Sequence, residues 1–422
     1  MDEISTLSKD ALVKEVRRVV AGPQTWSSDC PFPPTVLRHK TIDLGVPGCS
    51  HLLPGGTHIV FSHDEIVGNV LSRKIECFEV RSGRRLCAWS SPRPGLFLSR
   101  ATVDFAGRES RMVVALSFYT PSVDEDELLF LDVDLNTGQS RDILHVSFPD
   151  AFLWGSLQLS GDFFICYAGP TVGSWRVLIL NWRTESFVLL DRNGGNQMIV
   201  SFAILPGHLV LVHSASEPHT HTIHLHSLAL FDHLWRPLSE FSLSDSIDPT
   251  GLVFAQLSVP DNGRQRSFPT LTVTESPRHD DTWELLIHIR DSVPPAPRPR
   301  FGSLLQRFGI RAKRNPKSIP PVTVSRFLVT LPRGQPSPSA LPQITLITVF
   351  RHSKDFWYAS SAGYGLYSEP GAEIRFFIQR LDEEGVHTPR SLSLYFPMRV
   401  QLTQSGTVLV TEGSRAMLLY YM

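Results

Sequence analysis

LLPGGTHIVF (residues 52–61), LQLSGDFFIC (157–166), AILPGHLVLV (203–212) and QLTQSGTVLV (401–410) are four versions of one unit: an apolar strand, a tight turn holding glycine and a second apolar strand. Short apolar runs rich in Val, Leu, Phe and Thr and broken by Gly, Asp, Pro or Ser read as strands. Weaker versions place Gly107, Gly263 and Asp355 in the same turn. With Gly56, Gly107, Gly161, Gly207, Gly263, Asp355 and Gly406 as markers, successive spacings are 51, 54, 46, 56, 92 and 51. Only one interval is anomalous, and it contains an insertion. A four-stranded unit of about 50 residues is what a β-propeller blade requires, because each twisted sheet must bury both faces against its neighbours.

The second half of the unit repeats too. A third strand, a turn and a fourth strand follow as KIECFEVRSGRRLCAW (74–89), ELLFLDVDLNTGQSRDIL (127–144), WRVLILNWRTESFVLL (175–190) and EIRFFIQRLDEEGVHTPRSLSLYF (373–396). The polar pair that ends the third strand resembles the third-to-fourth-strand hairpin of WD40-like repeats, with Glu79-Val80, Asp132-Val133 and Asn181-Trp182 near the place of the Trp-Asp dipeptide. The last unit, residues 399–422, supplies three strands, and residues 36–44 form a lone strand ahead of the first complete unit. Pairing the two closes the ring as blade seven and removes two open sheet edges. The expected architecture is an all-β, seven-bladed WD40-like propeller over residues 35–422, preceded by a helix and linker in residues 1–34.

Composition agrees. A chain of 422 residues exceeds one ordinary compact core, so it holds several domains or one built of repeats. Its net charge of -1 excludes a globally basic nucleic-acid binder, and its 32 Pro and 28 Gly demand many turns. Five cysteines without a C-x-x-C pair encode neither a disulfide framework nor a zinc site. The polar, acidic N-terminus is unlike a secretory signal, no apolar run approaches the roughly 20 residues that span a bilayer, and no asparagine heads an N-x-Ser/Thr acceptor. The expectation is a monomer of the cytoplasm or nucleus. One helix opens the chain: Ser8 caps it, Leu7 and Leu12 staple it, Leu12, Val13, Val16, Val19 and Val20 make its apolar face, and Gly22-Pro23 stops it.

An insertion at residues 291–321 is rich in proline and carries Arg298, Arg300, Arg307, Arg311, Lys313, Arg314 and Lys317 with no acid between positions 298 and 317. It reads as a surface loop, and Arg311, Lys313, Arg314 and Lys317 are candidate partner contacts. A second candidate recognition surface is the glycine-spaced aromatic group Phe356, Trp357, Tyr358, Tyr364 and Tyr367, read as a long loop.

Seven histidines, His208, His213, His219, His221, His224, His226 and His233, crowd one unit. On a strand His219 and His221 share a face, as do His224 and His226, so two imidazoles can converge on Zn²⁺ or Cu²⁺. With no Cys or Glu completing a familiar spacing, the hairpin reads as half-exposed with polar alternation, and no metal ligand or cofactor is assigned. Asp132, Asp134 and Asn136 resemble a calcium loop, but Gly138 comes one place late and no glutamate closes the loop. The acid run 124–127 reads as a solvated loop tip. Motifs of nucleophile elbows, zinc proteases, P-loops and dinucleotide folds are absent.

The opening helix STLSKDALVKEVRRVV, Trp26, the lone strand, HLLPGGTHIVF and the strand ending EVRSG resemble the region that follows the F-box in fungal F-box proteins. The resemblance covers the layout of about 400 residues and is specific over residues 7–90; the F-box itself is absent from this chain. It implies a substrate-recognition module of an SCF-type ubiquitin ligase whose propeller binds target proteins; with the missing enzyme motifs, the charge balance and the short apolar runs, the expectation is a non-catalytic protein-interaction module with no membrane and no nucleic-acid partner. The alternative is a propeller enzyme, of hydrolase or lyase type, with a site in the central channel.

Overall fold

The computed structural model describes residues 8–27, 29–53, 56–67, 70–90, 96–104, 110–120, 125–171, 174–194, 197–216, 219–253, 255–259, 269–275, 281–290, 322–331, 342–352, 356–359, 364–369, 375–380, 390–392, 399–402 and 407–421. Among them the strands form seven antiparallel sheets of four or five strands, in chain order. The first strands of successive sheets pack on one another, Phe97–Asp104 on Phe152–Ser160, Phe152–Ser160 on Gln197–Leu205 and Gln197–Leu205 on Thr270–Glu275. These innermost strands surround a common axis, and the fold is a β-propeller.

Apolar alternation supplies the seams. Between the second and third sheets, Phe130, Phe148, Phe164, Leu178 and Phe187 form one buried cluster, with Phe130 and Phe164 edge-to-face at 5.5 Å. Ile165, Val177, Ile179, Leu209 and Leu211 fill the next seam, and Val210, Val212, Ile223, Leu285 and Ile287 the one after. Strands that bury both faces read as continuous apolar runs, which is why LVLV and VLIL recur.

The seventh sheet takes its outer strand from the N-terminal side. Val36–Asp43 pairs antiparallel with Arg415–Tyr421, from Val36 opposite Tyr421 to Asp43 opposite Arg415. Ile42 and Leu44 then share a buried cluster with Leu52, Ile59 and Phe61 of the first sheet and Leu409 and Leu418 of the last. On the other face of that last sheet, Trp26 packs against Val400, Val408 and Tyr421, its ring 5.4 Å from the tyrosine ring. Helix Lys9–Ala21 is capped by Ser8, whose side chain accepts from the Ala11 N–H, and it ends at Gly22. Val13 and Val16, on its apolar face, stand 40% and 54% exposed.

A repeated hydrogen bond locks the first five sheets. The residue just after the third strand donates its N–H to the turn between the first two strands: Val80 to Thr57, Leu135 to Ser110, Trp182 to Asp162, Leu228 to Gly207 and Leu331 to Asp281, all at 2.8–3.1 Å. The residue ahead of it caps the next turn. Asp134 Oδ1 accepts from the N–H groups of Asn136 and Thr137, and Asn181 Oδ1 from those of Arg183 and Thr184. The pair equivalent to Glu79-Val80 and Asn181-Trp182 is therefore Asp134-Leu135, not Asp132-Val133. Asp132 instead accepts from Arg111 and Arg141, so Asp132 and Asp134 of the calcium-like stretch serve an ion pair and a turn.

Two markers also move. The first two strands of the fifth sheet are Thr270–Glu275 and Thr282–Arg290 and those of the sixth are Phe356–Ala359 and Tyr364–Glu369, so neither Gly263 nor Asp355, both outside the described residues, falls in sequence between them. For Gly263 the cause is an excursion that the spacing conceals. After the third strand of the fourth sheet the chain leaves as a strap, residues 228–253, reaches the outer edge of the third sheet where Arg236–Pro237 pairs with Ser186 and Phe187, and returns as Ala255–Val259, the outer strand of the fourth. Leu228 and Phe231 of the strap are buried, and Phe241 lies 4.8 Å from Phe148.

Gly138 tests the contact between the first two sheets. Its φ is +74°, and a Cβ there would collide with the backbone carbonyl of Leu86 in the neighbouring sheet. Left-handed backbone costs a non-glycine residue about 1–2 kcal/mol, and the displacement of Leu86 adds to it. Gly138→Ala should lose about 2–3 kcal/mol in urea unfolding; an unchanged midpoint would show that the seam yields freely.

Candidate functional site

Among the sequence-derived candidates, Arg311, Lys313, Arg314 and Lys317 lie outside the described residues, as does the whole insertion 291–321. Its ends are adjacent, since Arg290 and Val322 are partners in paired strands. Replacing residues 292–320 by a short Gly/Ser link should therefore change stability by less than about 1 kcal/mol, as for a loop joining strands already in register. A larger loss in thermal unfolding would assign the segment a packed role.

The aromatic group is placed on strands instead of in a loop. Phe356–Ala359 pairs with Tyr364–Glu369, Phe356 opposite Tyr367 and Tyr358 opposite Leu366, with a register shift at Trp357. The propensity of aromatic residues for paired backbone outweighs the glycines, of which Gly365 lies in the second strand.

The histidine hairpin departs furthest from expectation. Strands His208–Ser216 and His219–Ser227 pair with His213 opposite Thr222 and Leu211 opposite His224. Pleating therefore puts His213, His224 and His226 on one face, toward the third sheet, while His221 falls on the other with Ile223 and Leu225. His213, His224 and His226 are 2%, 4% and 0% exposed, not half-exposed, because the strap covers this face. The His213 and His224 rings lie 4.1 Å apart, the His224 and His226 rings 6.1 Å, and Phe231 of the strap sits 6.1 Å from His226.

Polar bonding in this pocket is incomplete. His226 Nδ1 is 3.0 Å from the Leu252 carbonyl, which accepts its proton. Neither ring nitrogen of His213 or His224, nor Nε2 of His226, has a hydrogen-bond partner among the described residues. Each buried orphan of this kind costs about 1–3 kcal/mol. Burial, reinforced by repulsion from the other two rings, pushes His213 down to about 3. Burial likewise lowers His226 to about 4 and depresses His224. At pH 7 the three rings are neutral. One potential ligand atom from each lies within 4.8 Å of those of the others. The crowding was legible in the sequence, but the partnership of His213 with His224 needs the hairpin register, and their burial needs the strap.

The acid run is likewise not a solvated tip. Asp126 and Glu127 are buried, Glu127 beside His145 Nε2 at 2.8 Å and Asp126 accepting from the Leu153 N–H of the third sheet at 2.6 Å. Burial raises the Asp126 carboxyl to about 7, against the lowering influence of that bond and of Arg100.

The axial surface offers little chemistry. Among the described residues, the innermost strands of the seven sheets carry, of the types that act as acid or base, Cys49 and His51 on the first sheet, Asp104 on the second, Glu275 on the fifth and Tyr358 on the sixth. Asp104 Oδ2 accepts from the Gly161 N–H at 2.6 Å, a structural tie between sheets. Among the described residues no helix is long and apolar enough to cross a membrane. Two shallow grooves flank the strap, about 360 and 180 Å³ in volume, lined by residues such as Leu144, Val146 and Phe241 in the first and Leu189, Trp235 and Arg236 in the second.

No family model matches the chain, and no curated protein does. Among solved structures it is similar to the WD40 domain of SCAP from fission yeast at 11% identity, with 89% of this chain and 84% of that one covered and a TM-score of 0.43. It is also similar to the Dos1 propeller, at 10% identity, 91% and 95% coverage and a TM-score of 0.39. An α-L-arabinofuranosidase from Fusarium graminearum is similar at 8% identity, 92% and 98% coverage and a TM-score of 0.38. Likenesses this distant carry no argument about activity, and the propeller rests on the sheets themselves.

Proposed function

We propose that the chain is a non-catalytic protein-interaction module, a seven-bladed WD40-like propeller of the kind that presents target proteins in fungal F-box proteins, acting as a monomer in the cytoplasm or nucleus. The observation that carries this reading is the axial surface. General acid–base chemistry needs groups within hydrogen-bond reach of one another, and among the described residues the innermost strands supply the carboxylates Asp104 and Glu275 on separate sheets, apart from Cys49 and His51 of the first sheet and Tyr358 of the sixth. Seven sheets in chain order and the pairing of Val36–Asp43 with the final strand support a closed ring of seven blades. The aromatic hairpin with Phe356, Trp357, Tyr358, Tyr364 and Tyr367, and the basic residues Arg311, Lys313, Arg314 and Lys317, are the proposed contact groups.

The test pairs binding with turnover. A partner purified from the native cell with the full chain should bind the isolated protein saturably. Trp357→Ala with Tyr364→Ala, or neutralisation of the four basic residues, should weaken that binding while the thermal midpoint stays put. Turnover of chromogenic glycosides or esters, abolished by substituting Asp104 or Glu275, would establish the enzyme instead.

A further inference from the structure

We infer that His213, His224 and His226 form a binding site for a late first-row divalent cation, zinc being the physiological occupant, and that the ion pins the strap to the fourth sheet. The argument starts from the ligand atoms. Three imidazoles, all at least nine-tenths buried, bring one nitrogen each within 4.8 Å of the others; tetrahedral bonds of about 2.0–2.1 Å need nitrogens about 3.4 Å apart, so the rings close on the ion by turning about their side-chain bonds. Nothing protein-derived competes for them: both nitrogens of His213 and of His224, and Nε2 of His226, lack a hydrogen-bond partner among the described residues.

The third ring is also oriented. Because the Leu252 carbonyl accepts the proton of His226 Nδ1, the lone pair of that ring stands on Nε2, the nitrogen without a partner. An outer acceptor that fixes the tautomer of a ligating histidine is a recurrent part of metal sites. Here the acceptor belongs to the strap, so occupancy would couple residues 228–253 to the hairpin beneath. A site of neutral nitrogens suits zinc, copper or nickel and not calcium or magnesium, which take oxygen. Three protein ligands leave a position for water or for the exposed carboxylate of Asp248, which lies on the strap and acts electrostatically on His213.

The experiment uses the full chain, stripped with chelator and titrated with Zn²⁺ alone or with Co²⁺ as an optical probe. One equivalent should bind, Co²⁺ should give visible d–d absorption, the thermal midpoint should rise, and protease cleavage within residues 228–253 should slow. His213→Leu and His224→Leu, which put apolar groups on an apolar face, should weaken Zn²⁺ by more than the roughly 10–100-fold that loss of an outer partner costs. His208→Ala and His233→Ala should leave it unchanged. Zinc binding equal in wild type and the double leucine variant would overturn the assignment. If that variant does not fold, the wild-type Co²⁺ titration decides, and no band at one equivalent refutes the site.

Discussion

Removing residues 1–45 should abolish soluble, monomeric protein. The deletion takes away the strand Val36–Asp43, leaving Arg415–Tyr421 with one row of backbone donors and acceptors unpaired. An open edge of this kind pairs with other chains. It also removes Trp26, Ile42 and Leu44 from two buried clusters, so Tyr421 and Val408 on one face and Ile59, Phe61 and Leu418 on the other lose their cover. Burying one such side chain contributes about 1.5–3 kcal/mol, and a domain's whole stability is about 5–15 kcal/mol. Three of them together with the ladder exceed what the remainder can offset. A truncated protein that ran as a monomer with an unchanged thermal midpoint would show that the ring does not close through this strand. A shorter deletion, residues 1–22, keeps Trp26 and the strand. It should fold, which separates the contribution of the helix from that of the closure.

The closing strand was readable because it left a simple remainder: one strand before the first full unit and three after the last. Each sheet's apolar runs were readable for the same reason, since a strand buried on both faces shows its burial in composition alone. What lay beyond the sequence was anything set by the strap. Leu228, Phe231 and Phe241 look like ordinary loop apolars, and nothing local says that they cross to the edge of the previous sheet. Without that crossing the histidine face is solvated, and with it His213 and His224 are buried. The acid run failed similarly. Asp126 and Glu127 open a strand that pairs on both sides, and the neighbouring sheet closes over the carboxyl through the Leu153 N–H. Local charge density cannot register a cover supplied by residues some 27 positions away. The misplaced marker Gly263 has the same origin, because the 228–253 excursion lengthens the fourth unit ahead of it.

Stability should fall as pH rises from about 4 to about 7 through Asp126, and Asp126→Asn should remove that loss. The carboxyl is 3% exposed, its Oδ1 has no partner among the described residues, and burial lifts it to about 7 despite the Leu153 N–H and the nearby Arg100. An unfolded aspartate ionises near 3.9. Below that value both states hold the proton and no penalty exists. Between the two values the unfolded chain has released a proton that the folded chain retains, so unfolding gains with every step in pH. Above about 7 the folded protein carries a buried carboxylate, and the loss levels off at about 4 kcal/mol, three units at about 1.4 kcal/mol each. His213, His224 and His226 act in the opposite sense. Their lowered pKa values make stability grow as pH rises toward 6.5, and three such groups outweigh one carboxyl, so the wild-type profile alone hides the Asp126 loss where the two effects overlap. The difference between wild type and Asp126→Asn cancels the histidines. Asparagine is nearly isosteric, its carbonyl oxygen can accept from Leu153, and it stays neutral at every pH. Urea unfolding at pH 4 should give the two proteins similar stability, and at pH 8 the variant should be the more stable by about 4 kcal/mol. A difference that does not change with pH would mean that Asp126 ionises alike in both states, and that the seam between the second and third sheets admits enough water to solvate its charge.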